Sequence, residues 1–262
     1  MADWRRYAEL VPFVVLHPDE KWTPIAIEDY LKESRLIDRS GRDFPVEIQS
    51  LQAPDRAEMT LVNEADWTTE ERKSLPPVCY IRLRNFALDT VLVDFYFLFG
   101  FNGGYWCGIG AHQADWEHVT LLVHRRTLAT EKVYFSSHRM RDGYWKSARD
   151  CEWRWLNGRK RLVIYCARGA HGFYHRPATW IRFGCFANDA TGRGVPFLPE
   201  VFSWDSQPWL QTERLGWGNW TTGTPTTEGP YGKSNTCCRR FWGCQDDTCM
   251  VQGIIPGDDP KC

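Results

Sequence analysis

The chain has 262 residues, with 32 Lys and Arg against 33 Asp and Glu and a formal charge of −1. That near balance offers no basic face for nucleic acid or an anionic membrane, and no stretch of 18 apolar residues exists to span a bilayer. The length suits one large β domain, and aromatic residues at 15%, including 14 Trp, suit a large sheet core before they suit a ligand-lining role.

In chain order, Met1 to Leu10 places Asp3 and Glu9 where a secretory leader needs an uninterrupted apolar run, so the chain reads as intracellular. Leu10 to Leu16 predicts an apolar strand. His17-Pro18-Asp19-Glu20 is explained by a turn and a helix start without any ligand. Pro24 then opens a short helix to about Glu33, with Ile27, Tyr30 and Leu31 at helical spacing. Residues 34–76 are polar and Pro-punctuated, and a capping box from Thr68 to Glu71 predicts a brief helix.

Beyond Pro77 the pattern becomes β. Strands are predicted over Val78 to Leu83, Thr90 to Phe99, Glu117 to Val123, Glu131 to Ser136, Cys151 to Trp155, Arg161 to Ala167 and Thr179 to Phe183. Turns at Asp142-Gly143 and Asn157-Gly158 join some of them. The fold class is therefore all-β: an antiparallel β-sandwich over residues 1–232 with short N-terminal helices.

From Ser206 the composition turns rich in Trp, Gly, Thr and Pro, and Gly216-Trp217-Gly218-Asn219-Trp220 is expected to pack over a sheet edge. A Cys-rich tail, 233–262, follows with Cys237, Cys238, Cys244, Cys249 and Cys262. It contains no Cys-x-x-Cys for zinc and reads as a small disulfide knot, which implies an oxidising compartment. Asn219-Trp220-Thr221 is a glycosylation sequon. These features pull against the intracellular reading, and the compartment stays open.

The chemistry concentrates in Gly110 to Val119, which holds His112, Asp115 and Glu117. In an extended chain residues two apart share a face, so Asp115 and Glu117 project together, and His112 is expected to fold back over them from a preceding loop. One imidazole beside two carboxylates is a divalent-cation donor set, favouring Mg²⁺ or Ca²⁺, with Mn²⁺ or Zn²⁺ as further candidates. The rival is an acid/base pair of the glycosidase kind. Trp116 and His118 alternate with the acids and are expected on the opposite face. His138 and His171, at the ends of two strands, are candidates for a base or a further ligand.

Phe101-Asn102-Gly103, Ala114-Asp115-Trp116-Glu117-His118-Val119, Val15 to Lys21, Phe135-Ser136-Ser137-His138, Ala170 to Tyr174 and Asn188 to Thr191 together resemble the motifs of the Vps62 (plant DUF946-like) family, over roughly residues 10 to 220. A more distant similarity is to the necrosis-inducing cytolysins, whose Gly-His-Arg-His-Asp-Trp-Glu heptapeptide supplies cation ligands on a β-sandwich. That resemblance implies His112, Asp115 and Glu117 as metal ligands, with Asn102 near the position of a further Asp. Ala114 replaces that motif's second His.

Two functions follow. The first is a cation-containing binding protein that recognises a polar lipid headgroup or glycan, with membrane trafficking suggested by the family name. The second is a metal-dependent hydrolase, lyase or cyclase acting on a small organic substrate. Neither reading fixes an oligomeric state.

Overall fold

The computed structural model describes residues 3–38, 40–51, 59–67, 75–103, 111–136, 143–183, 187–211, 215–218 and 227–228. His138, the Thr68 to Glu71 box, Asp142, the sequon at Asn219 and the tail 233–262 lie outside the described residues. Two short helices, α1 (Trp4–Ala8) and α2 (Ile27–Leu31), accompany the strands. The strands are β1 Phe13–Val15, β2 Ser34–Asp38, β3 Asp43–Phe44, β4 Met59–Asn63, β5 Val78–Asn85, β6 Thr90–Asn102, β7 His112–His124, β8 Thr130–Phe135 and β9 Tyr144–Ser147. They continue as β10 Trp153–Leu156, β11 Arg159–Cys166, β12 Phe173–Tyr174, β13 Thr179–Phe183, β14 Ala187–Ala190, β15 Pro196–Phe197, β16 Glu200–Ser203, β17 Leu215–Trp217 and β18 Thr227–Glu228. No helix among the described residues is long and apolar enough to cross a membrane.

Of the four sheets among the described residues, β13-β14 is a separate two-stranded ribbon and the other three form three layers. The middle one runs β16-β5-β6-β7-β8-β9 and is covered on both faces. That double burial is why β6 reads as the near-continuous apolar run Val91-Leu92-Val93-Asp94-Phe95-Tyr96-Phe97-Leu98-Phe99 and not as a clean alternation. One face carries Phe95, Phe97, Phe99, Val119 and Leu121 against Val14, Leu162 and Ile164 of the β10-β11-β1-β15 sheet. The other carries Tyr96, Leu98 and Trp116 against Leu36, Leu61 and Trp217 of the β18-β17-β4-β2-β3 sheet. Trp116 thus faces away from the acids, as alternation predicts.

The all-β class holds, with three corrections. The sheets are mixed: β1 pairs with β11, β16 with β5, and β17 with β4, all parallel. Parallel partners need long crossovers, so local turn signals could not announce them. Residues 34–76, read only as polar and Pro-punctuated, hold strands β2, β3 and β4, which are three of the five strands of the third layer. The Gly216-Trp217 segment is not a cover over an edge. Trp217 lies in β17 and is buried. The predicted turn at Asn157-Gly158 is present, both residues having positive φ between β10 and β11.

Topology decides where the site falls. β6 ends and β7 begins at one end of the middle sheet, Asn102 facing His112. Strands β1 and β11 run parallel to each other towards that end. The turns that follow them, 17–22 and 167–172, therefore arrive beside the β6–β7 end.

Candidate functional site

Regular alternation would place His112 and Asp115, three apart, on opposite faces. In the structure they share one. Ala114 takes φ +54 within β7, in the left-handed region that a non-glycine residue seldom occupies. Its would-be partner Gly100 has no room for a side chain, because a Cβ there would strike the Trp67 ring. The kink resets the parity of both strands. Phe99 faces the first core, whereas Phe101 packs with the second. His112 is consequently not a residue of a preceding loop folded back. It is the first residue of β7, brought to the acid face by the kink.

On that face Asp115 is the hub. Its Oδ2 accepts from Asn102 Nδ2 at 3.1 Å and lies 2.8 Å from His171 Nδ1, while its Oδ1 lies 3.7 Å from His112 Nε2. Glu117 comes next along the strand, its Oε2 accepting from Ser136 Oγ at 3.0 Å. Burial and the neighbouring Asp115 charge push Glu117 well above the usual carboxylate range, with Ser136 pulling the other way. Asn102, His112, Asp115, Glu117 and His171 are all buried.

His171 sits in the 167–172 turn with φ +54, a second left-handed non-glycine residue at the site. The ring stacks on Phe99, centroids 3.9 Å apart and planes parallel to within 1°, and Trp22 meets its edge at 6.1 Å. Its Nε2 has no hydrogen-bond partner and lies 3.6 Å from Glu20 Oε1. Burial alone would lower its pKa, but Glu20 and Asp115 on either side outweigh that and raise it to about 9.

Glu20 was the residue that sequence reasoning passed over. Its side chain is fully enclosed, with Oε1 accepting from the Lys21 and Trp22 amides and Oε2 from the Gly169 amide. Burial pushes Glu20 up, yet His171 and these amides hold it below its ordinary value. The turn reading of 17–20 was right locally, since the Asp19 amide donates to His17 Nδ1. What it missed is that β1 pairs parallel with β11 and so carries Glu20 to His171. The Val15 to Lys21 motif was the available signal.

A cleft of about 270 Å³ reaches the cluster at Glu20 and is lined by Asp19, Glu20, Lys21, Trp22, Gly103, Arg168 and Gly169. A Cβ at Gly103 would press on the Trp22 ring, so the cleft floor needs glycine there. Charged groups of both signs beside one half-buried indole suit a ligand with several hydroxyl groups and an apolar face.

The donor set fits a divalent cation chemically: two neighbouring carboxylates, an imidazole nitrogen facing one of them, and an amide oxygen donor in Asn102. The side chains do not stand in finished ligand geometry, because no group of three His, Cys, Asp or Glu among the described residues is so arranged. Seating an ion would require them to draw together. His138, the other candidate base, lies outside the described residues.

Several solved structures are similar to the chain. One described as "NLPPya in complex with glucosamine" aligns with 10% identity and a TM-score of 0.42, covering 79% of this chain and 76% of that one. A second, "Necrosis and Ethylene inducing Protein 2 from the causal agent of cocoa's Witches Broom disease", has 14% identity and a TM-score of 0.36, covering 76% and 72%. A third, "Toxin fold for microbial attack and plant defense", has 10% identity and a TM-score of 0.39, covering 80% and 78%. No curated protein sequence matches. Within the chain, residues 105–190, which carry His112, Asp115, Glu117 and His171, match the family model of vacuolar protein sorting-associated protein 62, Vps62.

Proposed function

We propose that the chain is a binding protein whose buried acid cluster takes a divalent cation, Mg²⁺ or Ca²⁺ ahead of Mn²⁺ or Zn²⁺, and whose cleft takes a polyhydroxylated group, a glycan or a polar lipid headgroup. The observation that carries this reading is an excess of buried carboxyl groups over cations, with Glu117 pushed towards its neutral form by burial and by Asp115. Glu20, Asp115 and Glu117 lie close together, and His171 already serves two of them. Two adjacent buried carboxylates repel, and a doubly charged ion relieves that repulsion. His112, Asp115, Glu117 and Asn102 would hold it. Above them, Trp22 offers an indole to a sugar ring, and Asp19, Lys21 and Arg168 offer hydrogen bonds to hydroxyl groups.

A binding role is favoured over a hydrolase, lyase or cyclase by the state of His171. A general base must reach the proton it removes. Here both ring nitrogens face carboxylates, one ring face is covered by Phe99, and the side chain is fully enclosed. The group is built to hold position.

The test is metal analysis of the purified chain with titration of Ca²⁺, Mg²⁺, Mn²⁺ and Zn²⁺, followed by glucosamine with and without chelator. Bound ion, with sugar binding that chelator weakens and Asp115→Asn abolishes, is the expected result. A native protein that neither retains a metal nor responds to any of the four ions would sink the proposal.

A further inference from the structure

The end of the molecule opposite the acid cluster has its own character. β6 carries 13 residues from Thr90 to Asn102, so the two ends lie roughly 40 Å apart. The helix, turns and strand ends at this far end carry Arg5, Arg6, Arg125, Arg126, Arg159 and Lys160 with Asp3, Glu9, Asp89 and Glu131, and Arg5 pairs with Asp3. Their elements are tied together. Arg6 donates to the Arg126 carbonyl oxygen at 2.7 Å, joining α1 to the β7–β8 turn. The Arg125 amide donates to the Asp89 carbonyl at 2.8 Å, joining that turn to the β5–β6 turn. Arg159 pairs with Glu9, and Arg161 Nη1 donates to the Glu9 carbonyl at 2.9 Å, joining α1 to the β10–β11 hairpin. The formal balance of the whole sequence conceals this segregation.

Two apolar side chains project from the same end. Leu88, in the β5–β6 turn, is 91% exposed, and Trp155, at the β10–β11 hairpin, is 75% exposed. Lys160 is the cross-strand partner of Trp155. Such lone prongs from separate turns do not make the continuous apolar patch of a protein–protein interface. Trp and Leu projecting among Lys and Arg do match a bilayer surface. There indole sits at headgroup depth and cations meet anionic phosphate groups.

We propose that this end docks on bilayers containing anionic phospholipid, with Leu88 and Trp155 entering the interface and the acid cleft left facing water. The proposal is independent of the cation reading, because it uses none of the same residues.

Sedimentation of the full chain with vesicles of phosphatidylcholine, alone or mixed with phosphatidylserine, tests it. Binding is expected to the mixed vesicles only, and to weaken with salt. Each surface cation contributes about fivefold in partitioning, so Arg126→Gln with Lys160→Gln should lower binding roughly thirtyfold. Trp155→Ser and Leu88→Ser should each lower it further, and circular dichroism verifies that the variants fold. Vesicle binding should be undiminished by chelator and by free glucosamine, to both of which the cleft responds, and this separates failure here from failure at the cleft. The proposal is overturned by no binding, by equal binding to phosphatidylcholine alone, or by binding that survives the double neutralisation. Tighter binding to a nucleic acid that vesicles cannot displace would also overturn it.

Discussion

The middle sheet contains two buried charge clusters of opposite design. Midway along it, Arg84 donates to both oxygens of Asp94 at 2.6 and 2.8 Å, and Thr120 Oγ1 donates at 2.6 Å. One cation meets one anion in a bidentate pair, and both side chains are nearly inaccessible. At the sheet's end, three carboxylates gather around imidazoles, Glu117 is pushed up, and His171 Nε2 lacks a hydrogen bond. Matched buried charge supports the fold. The second cluster lacks such a match, and that is the gap the proposed cation would fill.

Breaking the matched pair should have the largest effect. Asp94→Ala leaves the Arg84 guanidinium buried without its carboxylate and should cost about 3–5 kcal/mol of stability, read by denaturant unfolding. Burial raises Asp94, but Arg84 and then Thr120 outweigh it and hold its pKa below the ordinary value. Its contribution is therefore fully present above the unfolded carboxylate pKa, about 3.9, and is lost as pH falls through the lower folded value. A loss below about 1 kcal/mol for Asp94→Ala would erase the distinction between the clusters.

Supplying the missing charge should act on the other cluster alone. A cation at a hundredfold excess over its Kd adds about 2.7 kcal/mol, a rise of roughly 5–10 °C in Tm for a chain of this size. The same rise in His112→Ala with Asp115→Asn would place the ion elsewhere. Next in size is Gly100→Ala. The methyl group strikes the Trp67 ring, and overpacking of this kind costs about 1–3 kcal/mol. Gly100 and Ala114 are the positions the β6–β7 register skips, so a shift there should also weaken cation binding. Lost stability with undiminished cation affinity would show that the kink does not position His112.

The reach of the sequence differed between these regions for physical reasons. The middle sheet was legible because double burial writes itself as long apolar runs from Val78 to Val123. The acid face was legible because Asp115 and Glu117 obey the period of two. His112 was placed correctly for a mistaken reason. Its odd spacing from Asp115 is rescued by a left-handed Ala114, and the Trp67 ring that fills the space at Gly100 is distant in sequence. Glu20 and the parallel pairings were out of reach, since only the crossover connecting β1 to β11 brings them into place. The basic end was hidden because whole-chain charge carries no information about position.

The smallest effect separates the two designs most sharply. Glu117→Gln keeps an acceptor for Ser136 Oγ and removes a charge that Asp115 repels, so without added cation it should change stability by less than about 1 kcal/mol, in either direction. The contrast with Asp94→Ala is the point: one buried carboxylate answers a cation, and the other, among the described residues, hydrogen-bonds only a hydroxyl group. With cation present the order should reverse, because the variant forfeits the ion-linked rise that the native chain gains. Equilibrium unfolding with and without Ca²⁺ or Mg²⁺ measures both terms on one protein. A Gln variant that keeps the full rise would remove Glu117 from the ligand set. One that loses several kcal/mol in metal-free buffer would place Glu117 beside Asp94, as a carboxylate whose charge the fold needs.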